Sequence, residues 1–260
     1  MARSTYYYQL ARIDKPDKYT DLCSRITEIF LKNHGNYGYR RITLALNREG
    51  IQVNHKTVYR LMKKMGLHAR IRRQKYHSYK GEIGKVAPDC LKRDFHTELP
   101  DRKWTTDITQ MNIKGQKLYL SPILDMFNGE IISFSISEHP DMKMVMSMLE
   151  KAFREHPDLE GLIFHSDQGG QYQSPVYQRA LSDRGIQQSM SRKGNCLDNS
   201  MMESFFGTMK NELLYTREWD NADQFRWQLI KYIRYYNNSR IKLRLNGMSP
   251  IEYRISVMTG

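Results

Sequence analysis

Three acidic residues stand in settings where an acid is unusual for structure alone. Asp107 falls inside the β-prone run Trp104-Thr-Thr-Asp-Ile-Thr109, although a strand interior disfavours Asp. Asp167 follows the short apolar run Leu162-Ile-Phe164 and immediately precedes Gln168-Gly-Gly170. A carboxylate at the C-terminal end of a buried strand is well placed for a ligand site. Glu203 lies on a long helix-forming stretch, with Asn199 one turn before it and Lys210 two turns after it. Those spacings put the three side chains on roughly one helix face. Such a carboxylate set suits phosphodiester attack assisted by Mg²⁺ (or Mn²⁺). Hard cations prefer carboxylate oxygens, and two ions about 3.5–4 Å apart clamp the attacking and leaving oxygens. In this reading Lys210 meets a DNA phosphate, while His165 and Asn199 support the site. Spacing by itself is weak: 28 of the 260 residues are acidic, so the interval from Asp167 to Glu203 carries little without its local sequence.

The elements that must position these residues are legible in the hydrophobic pattern. Residues 103–113 and 117–127 read as strands parted by Lys114-Gly115, and 130–137 as a third strand after Asn128-Gly129, since Asn-Gly between β-prone runs is a strong hairpin signal. An amphipathic helix over 141–155, a buried strand over 162–167, a helix near 175–183 and a strand near 186–191 follow. A long helix over about 198–215 and a last one over 221–238 complete the order βββαβαβα, which predicts a mixed sheet with helices on its faces.

The 260 residues carry a net charge of +13, and its distribution matters more than its size. Residues 1–100 hold 21 Lys/Arg against 9 Asp/Glu, whereas the rest hold 20 against 19. A localised excess is the electrostatic footprint expected for a polyanion partner. Within it, residues 19–33 form a helical stripe with Thr20 or Asp21 as N-cap. A second helix fits 40–48, and Asn54 caps a third, whose inward stripe is Val58, Leu61, Met62 and Met65. This is a helix-turn-helix pattern. Lys56, Thr57, Arg60, Lys63 and Lys64 fall outside the stripe and are of the types that reach phosphates and base edges. The segment 68–80, with Arg70, Arg72, Arg73 and Lys75 interleaved with Tyr76 and Tyr79, reads as an arm along a nucleic-acid backbone. Cys23, Cys90 and Cys196 are odd in number and far apart, which argues against both a disulfide framework and a structural zinc and suits a reducing cytosol. No run is apolar and long enough to span a membrane.

Several motifs carry a closer resemblance. Trp104-Thr-Thr-Asp-Ile-Thr109, Leu118-Tyr-Leu-Ser-Pro-Ile-Leu-Asp125 and His165-Ser-Asp-Gln-Gly-Gly-Gln-Tyr172 resemble the catalytic core of retroviral-type integrases and transposases. So do Ser189–Asn199 and Glu203-Ser-Phe-Phe-Gly-Thr-Met-Lys210. With Tyr37-Gly-Tyr-Arg-Arg-Ile42, Thr57-Val-Tyr-Arg-Leu-Met62, Tyr235-Tyr-Asn-Asn-Ser-Arg240 and Met248-Ser-Pro-Ile251, nearly the whole chain resembles the second-frame protein of the IS-three family of bacterial insertion sequences. One departure is Ser200, where that family commonly has Ala.

The resemblance implies a ribonuclease-H-like core with a mixed five-stranded sheet, preceded by a small all-α helix-turn-helix domain. Asp107, Asp167 and Glu203 are then catalytic metal ligands for about two ions per site, and Lys210 is a DNA contact. The implied reaction is water-driven cleavage at the element ends, then 3′-hydroxyl strand transfer into DNA. The expected organisation is a helix-turn-helix domain over 1–67, a basic linker or arm over 68–100, a core over 101–217 and a helical extension over 218–260. Implied partners are the terminal inverted repeats, target DNA and further copies of the chain as a dimer or larger assembly, in a bacterial cytoplasmic, nucleoid-associated setting. An upstream-frame protein, carrying another helix-turn-helix and a leucine zipper, is a further implied partner. The alternatives are a nuclease that does not join strands and a regulatory DNA-binding protein.

Overall fold

The computed structural model describes residues 3, 4, 7, 19–70, 86–192 and 196–259. The chain divides into two compact units, one reaching to Ile71 and one running from Arg72 onward.

In the first unit, α1 (Thr20–Lys32), α2 (Tyr39–Arg48) and α3 (His55–Lys64) close on Ile26, Ile29, Tyr37, Ile42, Leu46, Val58, Leu61 and Met62. The N-cap of α1 is Tyr19, which caps through no side-chain bond, rather than Thr20 or Asp21. Asn54 caps α3 as expected, its side chain accepting from Lys56 N at 2.8 Å. Lys56, Arg60, Lys63, Lys64 and Arg70 are exposed, whereas Thr57 is half-buried. Arg72, Arg73 and Lys75, like Tyr76 and Tyr79, lie outside the described residues.

The second unit is built on one mixed sheet. Its strands are β1 (Lys103–Thr106), β2 (Thr109–Ile113), β3 (Gln116–Asp125), β4 (Ile131–Ser137), β5 (Ile163–Ser166) and β6 (Gln187–Met190). Antiparallel pairing joins β3 to β1, β2 and β4, and parallel pairing joins β1 to β5 and β5 to β6. Six strands appear where five were expected, because the run 103–113 is broken at Asp107-Ile108. The break has a local cause. Thr106 pairs with Ile123 and Thr109 with Leu120 in one continuous register along β3, which puts Asp107 opposite Pro122. Proline has no N–H to give to the ladder, and the Pro122 carbonyl is taken by the Thr106 hydroxyl at 2.8 Å. Asp107 therefore stands in a gap in the lane rather than in a strand interior.

Helices cover both faces of the sheet. On one face, α4 (Met142–Glu155) and α5 (Pro175–Ser182) pack Val145, Met148, Leu149, Tyr177 and Leu181 against Trp104, Ile123 and Phe164. On the other, α6 (Ser200–Met209) and α7 (Ala222–Asn238) pack Phe205, Phe206, Phe225, Leu229 and Ile233 against Leu118, Leu120 and Leu124. The stretch expected as one helix over 198–215 is instead a 3₁₀ turn (Cys196–Asn199), α6, and a π turn (Lys210–Leu214). The C-terminal residues are tied in as well: Asn237 exchanges two 2.9 Å hydrogen bonds with the Ile131 backbone, and α8 (Pro250–Met258) docks through Arg254 on Asp101 and Asp125. Residues 86–93, within the stretch expected as linker or arm, lie along β6, where Met190 N donates to Pro88 O and Cys90 N to Ser189 Oγ.

Candidate active site

The parallel pairing of β1 with β5 brings the first two acids together. Thr105 pairs with His165, so Asp107 and Asp167 each stand two residues past that pair, just beyond the ends of the neighbouring strands β1 and β5. Each carboxylate is held locally: Ile108 N donates to Asp107 Oδ1 at 2.7 Å, and Gly169 N to Asp167 Oδ1 at 2.9 Å. Glycine at 169 leaves the aspartate room, because a Cβ there would come within 3.0 Å of Asp167 Oδ1 and 3.3 Å of Tyr172 Cδ2.

Asn199 brings in the third acid. It is the N-cap of α6, and it is buried. The Thr105 hydroxyl donates to Asn199 Oδ1 at 2.6 Å, and Asn199 Nδ2 donates to Thr106 O at 3.1 Å. The start of α6 is thereby fastened to the last residues of β1, and Glu203 follows one turn later. Asp198, beside Asn199, is buried and accepts from Arg93 Nε at 2.9 Å and from Arg192 Nε and Nη2 at 3.1 Å. The Arg192 and Arg93 hydrogen bonds hold its carboxyl well below the usual carboxylate range. Sequence reasoning assigned Asp198 no role, although its adjacency to Asn199 was visible.

Burial and neighbouring charge both act on these carboxylates. Burial pushes Asp107 well up, the Asp167 and Glu203 charges push it further, and the Ile108 N–H and Lys210 pull the other way. Burial likewise pushes Asp167 up against the Gly169 N–H. Behind them, burial and then the Asp107 and Asp167 charges push Tyr172 up. Like charges held together this way are relieved by a hard cation, and an all-oxygen donor set is the kind such ions take. Among the described residues no three His, Cys, Asp or Glu side chains stand as a ready cage for one ion. The side chains gathered here offer carboxylate oxygens, the donor type that a hard cation such as Mg²⁺ takes.

His165, expected to support the site, is fully buried. Its Nδ1 lies 2.9 Å from Ser189 Oγ, which also accepts from Cys90 N. Burial lowers the imidazole pKa and so favours the neutral ring. His165 ties β5 to β6 and to the 86–93 segment.

Comparison with known proteins follows from this geometry. Models described as "Integrase core domain" match residues 97–196 and 203–258, and one described as "HTH-like domain" matches residues 18–75. A protein of Escherichia coli K12 named as the transposase InsK for insertion sequence element IS150 is 52% identical over 252 residues, which cover 97% of this chain and 89% of that protein. The chain belongs to the IS150/IS3 family of insertion-sequence transposases. The transposase InsF for insertion sequence IS3A, also of E. coli K12, is 30% identical over 97% of this chain and 90% of its own. The catalytic core domain of HTLV-2 integrase, solved in complex with magnesium, superposes with a TM-score of 0.50 at 20% identity, over 61% of this chain and 99% of that one. This likeness shows the shared ribonuclease-H-like fold. The transposase is a DDE-type enzyme of DNA transposition, and its helical first unit is the family's helix-turn-helix-like domain. Among the described residues no helix is long and apolar enough to cross a membrane.

Proposed function

We propose that Asp107, Asp167 and Glu203 are the catalytic metal ligands of this transposase, and that they serve cleavage at the element ends followed by strand transfer. The observation that carries the reading is the shared register of Asp107 and Asp167 past Thr105 and His165, with the Glu203 charge bearing on Asp107. Two Mg²⁺ or Mn²⁺ ions bound there would activate the attacking oxygen and stabilise the leaving one. The chain's own part is positional. Gly169 and Ile108 N–H groups orient the two aspartates, Asn199 sets the depth of α6, and Lys210 meets the phosphate charge of the strand being cut. In the first step water attacks the scissile phosphorus and the element's 3′-oxygen leaves with a proton. In the second, that 3′-hydroxyl attacks a phosphodiester of another strand, one P–O bond forming as one breaks.

Duplex DNA is the partner that the charge distribution favours. The exposed Lys56, Arg60, Lys63 and Lys64 of α3, with Arg70 and the residues Arg72, Arg73 and Lys75, form its contact set, Thr57 contributing from the edge of α3. Joining two ends calls for a dimer or larger assembly on DNA, at the nucleoid, with an upstream-frame protein as an additional partner. The test is incubation of the full chain with labelled element ends and Mg²⁺ or Mn²⁺. Joined strands are expected. Cut products without joining mark a plain nuclease, and binding without cutting marks a regulatory protein.

A further inference from the structure

The π turn that follows α6 starts at Lys210. Tyr215 N reaches back five residues to Lys210 O at 2.9 Å. Such turns are rare, interrupt α-helices mostly as single-turn bulges, and recur at functional sites. Glu203 and Lys210 are seven residues apart, two α turns, and so share a face. Glu212, two residues beyond Lys210, faces the opposite way, toward α7.

Glu212 is held from that side with unusual completeness. Arg240 Nε donates to Glu212 Oε2 at 2.7 Å and Arg240 Nη2 to Oε1 at 2.6 Å, while the Tyr232 hydroxyl donates to Oε2 at 2.9 Å. Both charged side chains are 7% exposed. They sit against the cluster that contains Met209, Leu213, Tyr232 and Tyr236. A buried ion pair contributes little net stability over an apolar replacement, and its attested use is to specify a geometry. Here the geometry specified is that of the turn carrying Lys210.

We propose that Arg240 is a positioning residue for strand transfer, acting through Glu212 and the π turn to aim Lys210 at the DNA beside the three carboxylates. The inference rests on the reading of Lys210 as a DNA contact. It requires the two-pronged guanidinium, since an ammonium delivers a point charge and not a fork.

The experiment is a double-mutant cycle on the full chain, read as the rate of end joining. Arg240→Lys keeps the charge and loses the fork. It is expected to slow joining on the order of ten- to a hundredfold, as a misplacement of up to about 1 Å does, while mobility shift of end DNA stays unchanged. In the Lys210→Ala background the same change is expected to slow joining no further. Equal losses in both backgrounds, or a fully active Arg240→Lys, overturn the proposal. Full activity of Lys210→Ala alone overturns instead the DNA-contact reading beneath it. Tyr232→Phe removes one hydrogen bond to Glu212 and leaves no buried charge unpaired. If thermal melting finds Arg240→Lys unfolded, the cycle with Tyr232→Phe decides by the same criterion, with a loss of a few fold that vanishes when Lys210 is absent.

Discussion

Asp107 and Asp167 stand side by side because Thr105 pairs with His165, and each acid lies two residues beyond that parallel pair. The relationship places two carboxylates at one end of the sheet from segments sixty residues apart. It also explains why they repel: burial raises both, and Asp167 raises Asp107 further.

Neutral isosteres should separate function from stability at this pair. Asp107→Asn and Asp167→Asn are expected to lower end cleavage about a thousandfold or more, since each removes a share of several kcal/mol of metal-based stabilisation. Their melting temperatures without divalent ions should match or exceed wild type, because a repelled charge is gone. Mg²⁺ or Mn²⁺ should raise the wild-type melting temperature, and chelation should reverse the gain; a variant that retains the gain in full refutes the assignment.

Gly169→Ala places a Cβ at 3.0 Å from Asp167 Oδ1. Overpacking of this kind costs about 1–3 kcal/mol, and here the nearest yielding group is the carboxylate itself. Cleavage should fall more steeply than denaturant stability, as paired activity and urea titrations would reveal.

Asn199→Ala removes both the acceptor for Thr105 Oγ1 and the donor to Thr106 O. Leaving buried groups unsatisfied costs about 1–3 kcal/mol, so the urea midpoint should drop. Because α6 loses its fastening one turn before Glu203, kcat should fall with little change in DNA affinity. A variant with lowered midpoint and unaltered kcat would confine Asn199 to structure.

The half-buried pair of His156 and Asp101, 3.2 Å apart and shared with Arg254, sets a pH dependence. The Asp101 hydrogen bond raises His156 above its ordinary 6.5. That contribution is fully present below pH 6.5 and is lost as pH rises through the raised value. Burial pushes Asp101 up, but His156 and Arg254 outweigh it and the net shift is downward from 3.8. Its share is present above pH 3.8 and is lost as pH falls through the lowered value. Wild type should therefore exceed His156→Gln in stability by up to about 1 kcal/mol near pH 6, with the margin shrinking toward pH 8 in melting curves.

Exposed cations of α3 should act through phosphate charge alone. Lys63→Gln with Lys64→Gln is expected to flatten the log–log salt dependence of DNA binding by roughly two, across specific and random sequences alike. Adding neutral replacements at Arg72 and Arg73 should flatten it further. A slope that does not move would exclude these contacts.

Local signals in the sequence were enough for much of this protein. The stripe of Val58, Leu61 and Met62 gave a helix and its inward face, because 3.6-residue periodicity is written in adjacent residues. Asn54 as a cap and the hairpin at Lys114-Gly115 depend on only a few neighbours. The motif settings around Asp107, Asp167 and Glu203 were likewise readable, and with them the family. What pairing decides was not readable. The break at Asp107 arises from Pro122, fifteen residues away on another strand, and a run that alternates like one strand gives no sign of it. Asn199 looked like a supporting residue on the Glu203 face, yet its partners are Thr105 and Thr106 across the core. His165 was legible only as a supporting residue; its burial between β5 and β6 and its Ser189 partner were not. Glu212 and Arg240, twenty-eight residues apart, became a pair only when α7 folded back on α6. The sequence alone determined which residue types and elements are available, because propensity and periodicity act over a few residues. Tertiary structure alone decided register, burial and the pairing of charges, because these depend on groups that the chain brings together only when it folds.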